Sequence, residues 1–355
     1  MAKDIRVLLI APSLDIVGGQ SVQAAALLKA LGGLRDIDVR FLPINPRLGW
    51  IERIRFVRTA VRFLIYILKL LLGVPACDIL HIFSAGLPSF ALWTIPAVLV
   101  GRLYRKKVLI NYHDGRIEAH PALSRFGDRV LRLASVIVTP SGYLVDVFAK
   151  YGIAARSIFN LIDLDKFRYR QRRKPKPVFM TNRSLEPIYN VDCILRAFAI
   201  IQKRYPEATL TIAHDGVRRS ALDQLARELG LRNTRFIGSV PHAKVPDLYD
   251  AAEIYLTTPN FDNMPLSLLE CYASGLPIVA TRAGGIPYIA TDEQTALLVD
   301  LNDHEAVAAS CCRLLEDENL ATRLAEQGRA ELVKYNPERV REQWAELYRQ
   351  LVKRK

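Results

Sequence analysis

The feature that most restricts the fold of this chain is an alternation of short apolar, strand-like runs with longer helix-like ones, broken once by a charged segment and then restarted. The first series reads "IRVLLIAP", Ser21 to Leu31, "DVRFLPI", a long stretch from Trp50 to Gly73, "DILHIFS", Leu87 to Tyr104, "KVLINYHD" and "SVIVTPS". After "RQRRKPKP" the second reads "VFMTNRS", Asn190 to Lys203, "ATLTIAHDG", Arg219 to Leu229, "TRFIGSV", "AEIYLTTP", a short helix inside "NFDNMPLSLLECYASGLP", "PIVATRA" and "TALLVD". Strands alternating with helices predict parallel sheets covered on both faces. The expected architecture is therefore two doubly wound α/β domains facing one another across a cleft, and 355 residues, half of them hydrophobic, suffice for two cores. Such sheets bind ligands at the carboxyl ends of their strands.

The charge is unevenly divided. Met1 to Pro177 carries 28 Lys and Arg against 12 Asp and Glu, net +16, whereas Val178 to Lys355 carries 21 against 24, net −3. A field of that kind points the first half toward an anionic ligand or surface. No recognised nucleic-acid module accompanies it, so nucleic acid is not expected as a partner. Adjacent Gly18 and Gly19 follow the first strand and no G-x-G-x-x-G follows any, which argues against a dinucleotide dehydrogenase. Five cysteines without a C-x-x-C pair fit free thiols rather than disulfides or zinc. "MAKDIRVLLIAPSLD" has only a short apolar stretch, Val7 to Ala11, before a turn, which predicts a cytoplasmic protein without a signal peptide.

In the Trp50 to Gly73 stretch, Arg55, Arg58, Arg62 and Lys69 are spaced to share one helical face, with Phe56, Phe63, Leu64, Ile67, Leu68, Leu71 and Leu72 around the rest. The run between Arg62 and Lys69 reads as too short to span a bilayer. The stretch is either an amphipathic helix lying peripherally on the inner face of an anionic membrane or an ordinary helix packed on the sheet.

The chemistry concentrates in residues 260 to 287. A helix beginning near Pro265 aims free N–H groups and its positive end at the preceding loop, a ready phosphate site. Glu270 stands inside this otherwise apolar helix and Asp262 before it, a separation of roughly 12 Å at helical rise. A carboxylate at each end accepts hydrogen bonds from sugar hydroxyls, with a diphosphate between them. Read singly, each is as well explained as a surface Glu and an N-cap Asp.

Here the sequence resembles the glycosyl transferases group 1 domain of the GT-B retaining glycosyltransferases, family 4, whose signature is E-x7-E, a helix, "GLPVVAT" and "GGIPE". "NFDNMPLSLLECYASGLPIVATRAGGIP" carries the resemblance, and Gly18–Gly19, "NYHDG", "TPSGYLVDVFAKYGI", "FNLIDLDKF", "TIAHDG" and "RFIGSVPHAKVPDLYDAAEIYLTTP" extend it in order over nearly the whole chain. It implies an acceptor domain over 1–170, a linker over 171–177, a nucleotide-sugar domain over 178–335 and a helix over 336–355 crossing back to the first domain. It further implies a retaining, metal-independent hexosyl transfer from a nucleotide diphosphate sugar to a glycan or lipid-linked hydroxyl, with no cofactor. His113, Arg183 and Asp262 take catalytic positions. Donor binding falls to Gly18, Gly19, Arg183, Asn263, Met264, Leu266 and Glu270, with the ribose on Glu270 and the diphosphate on Arg183.

Three departures stand out. Asp262 is one methylene shorter than the signature Glu, Tyr189 occupies the place of a diphosphate-binding lysine, and Pro265 offers no N–H. They keep alive a catalytically weak sugar-nucleotide-binding protein, or an epimerase on the same fold. "DLD" at 163–165 reads as turn residues before the linker and "DID" at 36–38 as a loop before a strand, neither as metal ligands.

Overall fold

A computed structural model describes residues 4–15, 18–84, 86, 89–115 and 125–353. The chain divides into two compact units, one of Met1–Ile162 with Tyr335–Lys355 and one of Asp163–Lys334.

In the first unit the strands are β1 (Ile5–Ala11), β2 (Ile37–Pro43), β3 (Ile79–Ser84), β4 (Lys107–Tyr112), β5 (Val136–Thr139) and β6 (Arg156–Ser157). They form one parallel sheet in the order β2-β1-β3-β4-β5-β6. Alternate residues serve opposite faces, as the pleat requires. Leu8, Ile10, Leu80, Ile82, Val108 and Ile110 pack with Tyr66, Leu70, Ala97 and Val98 of the helices Arg55–Gly73 and Ile95–Leu103. Val7, Leu9, Ile79, Phe83 and Leu109 pack with Ala24 and Leu27 of the helix Gly19–Leu31 and with Trp344, Leu347 and Tyr348 of the helix Pro337–Lys353. Asp36, expected in a loop before a strand, also binds this last helix, through Arg349 at 2.7 Å.

The second unit repeats the plan with β7 (Val178–Thr181), β8 (Thr209–Ile212), β9 (Thr234–Phe236), β10 (Ile254–Thr257), β11 (Ile278–Thr281) and β12 (Leu297–Val299), all parallel, in the order β12-β11-β10-β7-β8-β9. In each sheet the strand order reverses once, between β1 and β3 and between β7 and β10. That is where loops diverge and a ligand site opens in sheets of this class.

Two expectations need correction. The charged run Arg170 to Pro177 is no free tether. Arg172 is only 2% exposed, and it donates to the carbonyls of Ala252 (2.8 Å), Tyr249 (2.7 Å) and Ser274 (2.6 Å), so it caps a helix C-terminus where a cation is favoured. The division between units falls earlier, after Ile162. The basic stripe of the helix Arg55–Gly73 is also not a free cationic face: Arg62 bonds the Glu52 carboxylate at 2.6 Å and the Pro46 carbonyl at 3.1 Å, and Arg58 lies 3.6 Å from the same carboxylate. The Arg55 side chain lies outside the described residues. By length and composition alone, Phe56–Ala76 would reach across a membrane, so the short run between Arg62 and Lys69 was too strict a criterion.

Candidate functional site

The second unit's switch point gathers the loops that follow β7 and β10. The β7 loop opens with Asn182 and Arg183; the β10 loop runs through Asp262 into the helix Leu266–Ser274, for which Pro265 is the N-cap with no side-chain bond. Asp262 is thus in the loop, and the 12 Å spacing inferred from a continuous helix does not apply.

Arg183 is the centre of the site. Its Nη2 is paired directly with the Asp262 carboxylate. Nη1 lies 3.4 Å from the Ser267 hydroxyl in the first turn of the helix, and the guanidinium lies over the Tyr189 ring at 4.3 Å. Burial opposes its charge, but Asp262 outweighs that, and the pKa is raised above an already high value. Its Nε is buried and finds no partner among the described residues. Tyr189, standing where the resemblance expects a lysine, therefore supports Arg183 by a cation–π contact instead of adding charge. Burial raises the Asp262 pKa, while Arg183 and the backbone N–H groups of Asn263 and Met264 draw it down.

Glu270 ends a chain of hydrogen bonds. Tyr255 Oη donates to Asn182 Oδ1 (2.7 Å), Asn182 Nδ2 to Tyr249 Oη (2.9 Å), and Tyr249 Oη to Glu270 Oε2 (2.6 Å). Every donor in the series points toward the carboxylate, so Oε2 must accept. Burial raises the Glu270 pKa, and the Tyr249 bond, followed by His242 and Arg183, counters it. Asn182, Tyr249, Tyr255 and Ser267 were not singled out from the sequence; only the adjacency of Asn182 to Arg183 hinted at them.

The loop itself is shaped by glycines. Gly284 has φ +52 and Gly285 donates to the Asp262 carbonyl at 2.7 Å. A Cβ on Gly285 would meet the Asn263 carbonyl oxygen at 1.8 Å, so only glycine fits. Gly285→Ala is expected to destabilise the protein by roughly 3 kcal/mol through overpacking, in urea unfolding compared with Gly33→Ala, where a Cβ meets nothing within 4 Å. Of the remaining donor residues, Met264 is buried and Asn263 and Leu266 are half-buried beside the helix N-terminus.

Gly18, Gly19 and His113 belong to the first unit. Gly18 is extended (φ −178) and caps the helix Gly19–Leu31; a Cβ on either glycine meets no described atom within 4 Å. His113 follows β4, donates its backbone N–H to the Ser84 carbonyl at 3.0 Å and stacks on Phe83 at 5.2 Å. Its Nε2 is buried without a partner among the described residues, and burial holds its pKa down at about 4.

Residues 164–331, nearly the whole second unit, match the family model for glycosyl transferases group 1. The second unit therefore matches the glycosyl transferases group 1 domain along nearly its whole length. A D-inositol 3-phosphate glycosyltransferase of Corynebacterium urealyticum is 32% identical over 166 residues, 44% of this chain and 39% of that protein's length. A GDP-mannose-dependent alpha-(1-6)-phosphatidylinositol monomannoside mannosyltransferase of Mycolicibacterium smegmatis is 25% identical over 265 residues, 66% of this chain and 68% of the relative. Among solved structures, sucrose-phosphate synthase from Thermosynechococcus elongatus superposes with a TM-score of 0.75 at 19% identity, over 98% of this chain and 99% of the other. HepE from Anabaena in complex with UDP gives 0.76 at 16% identity, over 98% and 100%. The fold is GT-B.

Proposed function

We propose that this protein is a glycosyl transferases group 1 enzyme that moves a hexose from a nucleoside diphosphate sugar to a hydroxyl of a glycan or lipid-linked acceptor, with retention and without a metal. The observation that carries this reading is the Arg183 guanidinium, buried at the first turn of the very helix that carries Glu270. A diphosphate there meets the guanidinium and the positive end of the helix together. One oxygen of Glu270 is taken by Tyr249, and the other is proposed to accept from a ribose hydroxyl. Relatives that use nucleotide sugars, and the UDP-bound HepE of the same fold, support the donor class.

In this reading the bond from the anomeric carbon to the diphosphate oxygen breaks, the acceptor oxygen bonds to that carbon on the same face, and the hydroxyl proton passes to the departing phosphate. Arg183 stabilises the charge that grows on the leaving group. His113, held neutral, and Asp262 position substrate. The setting of Gly18 and Gly19 suits backbone approach to phosphate, because nothing in the packing of the described residues demands glycine there. We propose a cytoplasmic setting.

The test is Glu270→Ala, expected to weaken nucleoside diphosphate binding by roughly 1–3 kcal/mol because ribose hydroxyls lose their acceptor. Tyr249→Phe, which leaves the carboxylate in place but loosens it, should show a smaller loss. Unchanged affinity in Glu270→Ala would remove the ribose role. One observation favours a second reading, a binding protein with weak turnover: Asp262 neutralises the only cation left of the expected diphosphate pair. Stoichiometric binding without release of free nucleoside diphosphate in the presence of acceptor would decide for it.

A further inference from the structure

In the helix Arg55–Gly73, Arg58 and Arg62 are drawn to Glu52 while a row of apolar residues is turned out. Phe56, Ala60, Leu64, Leu68 and Leu72, spaced by four, line one ridge, and Phe56 is 85%, Leu64 61% and Leu72 80% exposed. The opposite side is fixed to the sheet by Tyr66 and Leu70, which are fully buried, and Tyr66 Oη donates to the Trp93 carbonyl at 2.8 Å. The helix Ile95–Leu103 covers the same face of the sheet and adds exposed Leu99 and Leu103, the latter 72% exposed. Lys106 Nζ donates to the Pro75 carbonyl at 2.9 Å, which joins the trailing ends of the two helices. Two adjacent helices thus present one apolar surface away from the sheet, larger than scattered exposed leucines would explain.

The rim supplies the sign of the partner. Lys69, Arg102 and Arg105 are exposed around this surface, and neither residues 53–77 nor 79–113 contain an aspartate or glutamate. The flanking carboxylates are engaged, Glu52 by Arg62 and Asp78 by Arg6 at 2.9 Å. Exposed leucines and a phenylalanine ringed by cations that have no carboxylate partner among the described residues match an interface of acyl chains under anionic headgroups.

We infer that the exposed faces of the helices Arg55–Gly73 and Ile95–Leu103 are a docking surface for an anionic lipid bilayer. The apolar ridge enters the headgroup boundary, while Lys69, Arg102 and Arg105 meet lipid phosphates. The helix lies along the interface and does not cross it, because Tyr66 and Leu70 hold it to the sheet. This inference is independent of the donor site.

The experiment is co-sedimentation of the full chain with vesicles of phosphatidylcholine alone or mixed with phosphatidylglycerol, at low and high salt. Wild type is expected to bind the mixed vesicles and to be released by salt. A Lys69→Gln, Arg102→Gln, Arg105→Gln variant should lose at least tenfold in partitioning to mixed vesicles, since each cation is worth about fivefold. A Phe56→Ser, Leu64→Ser, Leu72→Ser variant should lose at least tenfold on any vesicle. All six positions are exposed, so circular dichroism and nucleotide affinity measured without vesicles should be unchanged, which keeps a failure here distinct from a failure of the donor reading. Three results would overturn the inference: no vesicle binding, equal binding by wild type and both variants, or a dimer in sedimentation velocity that the serine variant converts to a monomer, which would give the surface to a second copy. Retention on vesicles after alkaline carbonate washing would overturn the interfacial placement.

Discussion

Arg183→Ala is expected to lower kcat about a hundredfold or more, with a much smaller change in KM, because the charge Arg183 faces grows only as the diphosphate departs. Loss of one such stabilising group is commonly worth about 3–4 kcal/mol in the transition state. The geometry adds a second consequence. Arg183 is the direct partner of Asp262, and it also lowers the pKa of Glu270. Without it, Asp262 keeps the backbone N–H groups of Asn263 and Met264, Glu270 keeps Tyr249, His242 and Asn182, and both half-buried carboxyls will take up protons more readily. A double variant, Arg183→Ala with Asp262→Asn, compared with Asp262→Asn alone, separates the effects: stability recovered relative to Arg183→Ala reports the cost of the uncompensated carboxylate, and the further loss of kcat beyond that of Asp262→Asn belongs to Arg183 and the leaving group. Arg183→Lys keeps a charge but loses the planar stacking on Tyr189, and should fall between wild type and alanine. A rise in KM alone, with kcat intact, would make Arg183 a uniform binder.

Much of the sheet plan was legible, and the reason is physical. Strands buried on both faces are continuous apolar runs, as in "DILHIFS", where every residue of β3 is buried, and such runs cannot hide in a helical pattern. The two-residue strand β6 (Arg156–Ser157), half exposed at the sheet edge, has no such signature and was not seen. Two prolines in a run of charges read as a linker, but four carbonyl groups around Arg172 solvate its guanidinium inside the fold, which the run itself does not reveal. At the candidate site, Glu270 was conspicuous because a carboxylate in an apolar helix demands a partner. The identity of that partner was not conspicuous: Tyr249, Asn182 and Tyr255 come from three separate elements, and only the strand order brings them together. The amphipathic helix was legible from its spacing, but that Glu52, upstream of it, engages Arg58 and Arg62 was not, because the residue lies outside the helical repeat.

The first unit is expected to lose stability on mild acidification, through two histidines it holds neutral. His81, on β3, is fully buried, with Nδ1 hydrogen-bonded to the Tyr348 hydroxyl at 2.6 Å and its ring stacked between Phe83 and Trp344 at 5.2 and 4.8 Å. Burial pushes its pKa down to about 3, and that of half-buried His113 to about 4. Unfolded histidine titrates near 6.5. Above that pH both states are neutral and nothing changes; below it the unfolded chain binds protons that the folded unit refuses, so stability falls as pH falls until the folded values are reached. Each such histidine contributes about 1.4 kcal/mol per pH unit, so His81 alone removes about 2 kcal/mol between pH 6.5 and 5, and His113 adds up to as much. Asp36, Asp78 and Glu52, whose pKa values are lowered chiefly by bonds to Arg349, Arg6 and the Leu48 N–H, act only at lower pH, in the carboxylate range. In the second unit Asp262 and Glu270 have raised pKa values and work in the opposite direction, gaining as pH falls. The units can be followed separately because Trp50, Trp93 and Trp344 all lie in the first. Tryptophan emission during urea unfolding should show a midpoint that drops steadily from pH 7 to 5, and His81→Gln should flatten that slope by about half while keeping a polar group for Tyr348. A midpoint that stays constant across this range would mean that His81 already carries its proton in the folded unit.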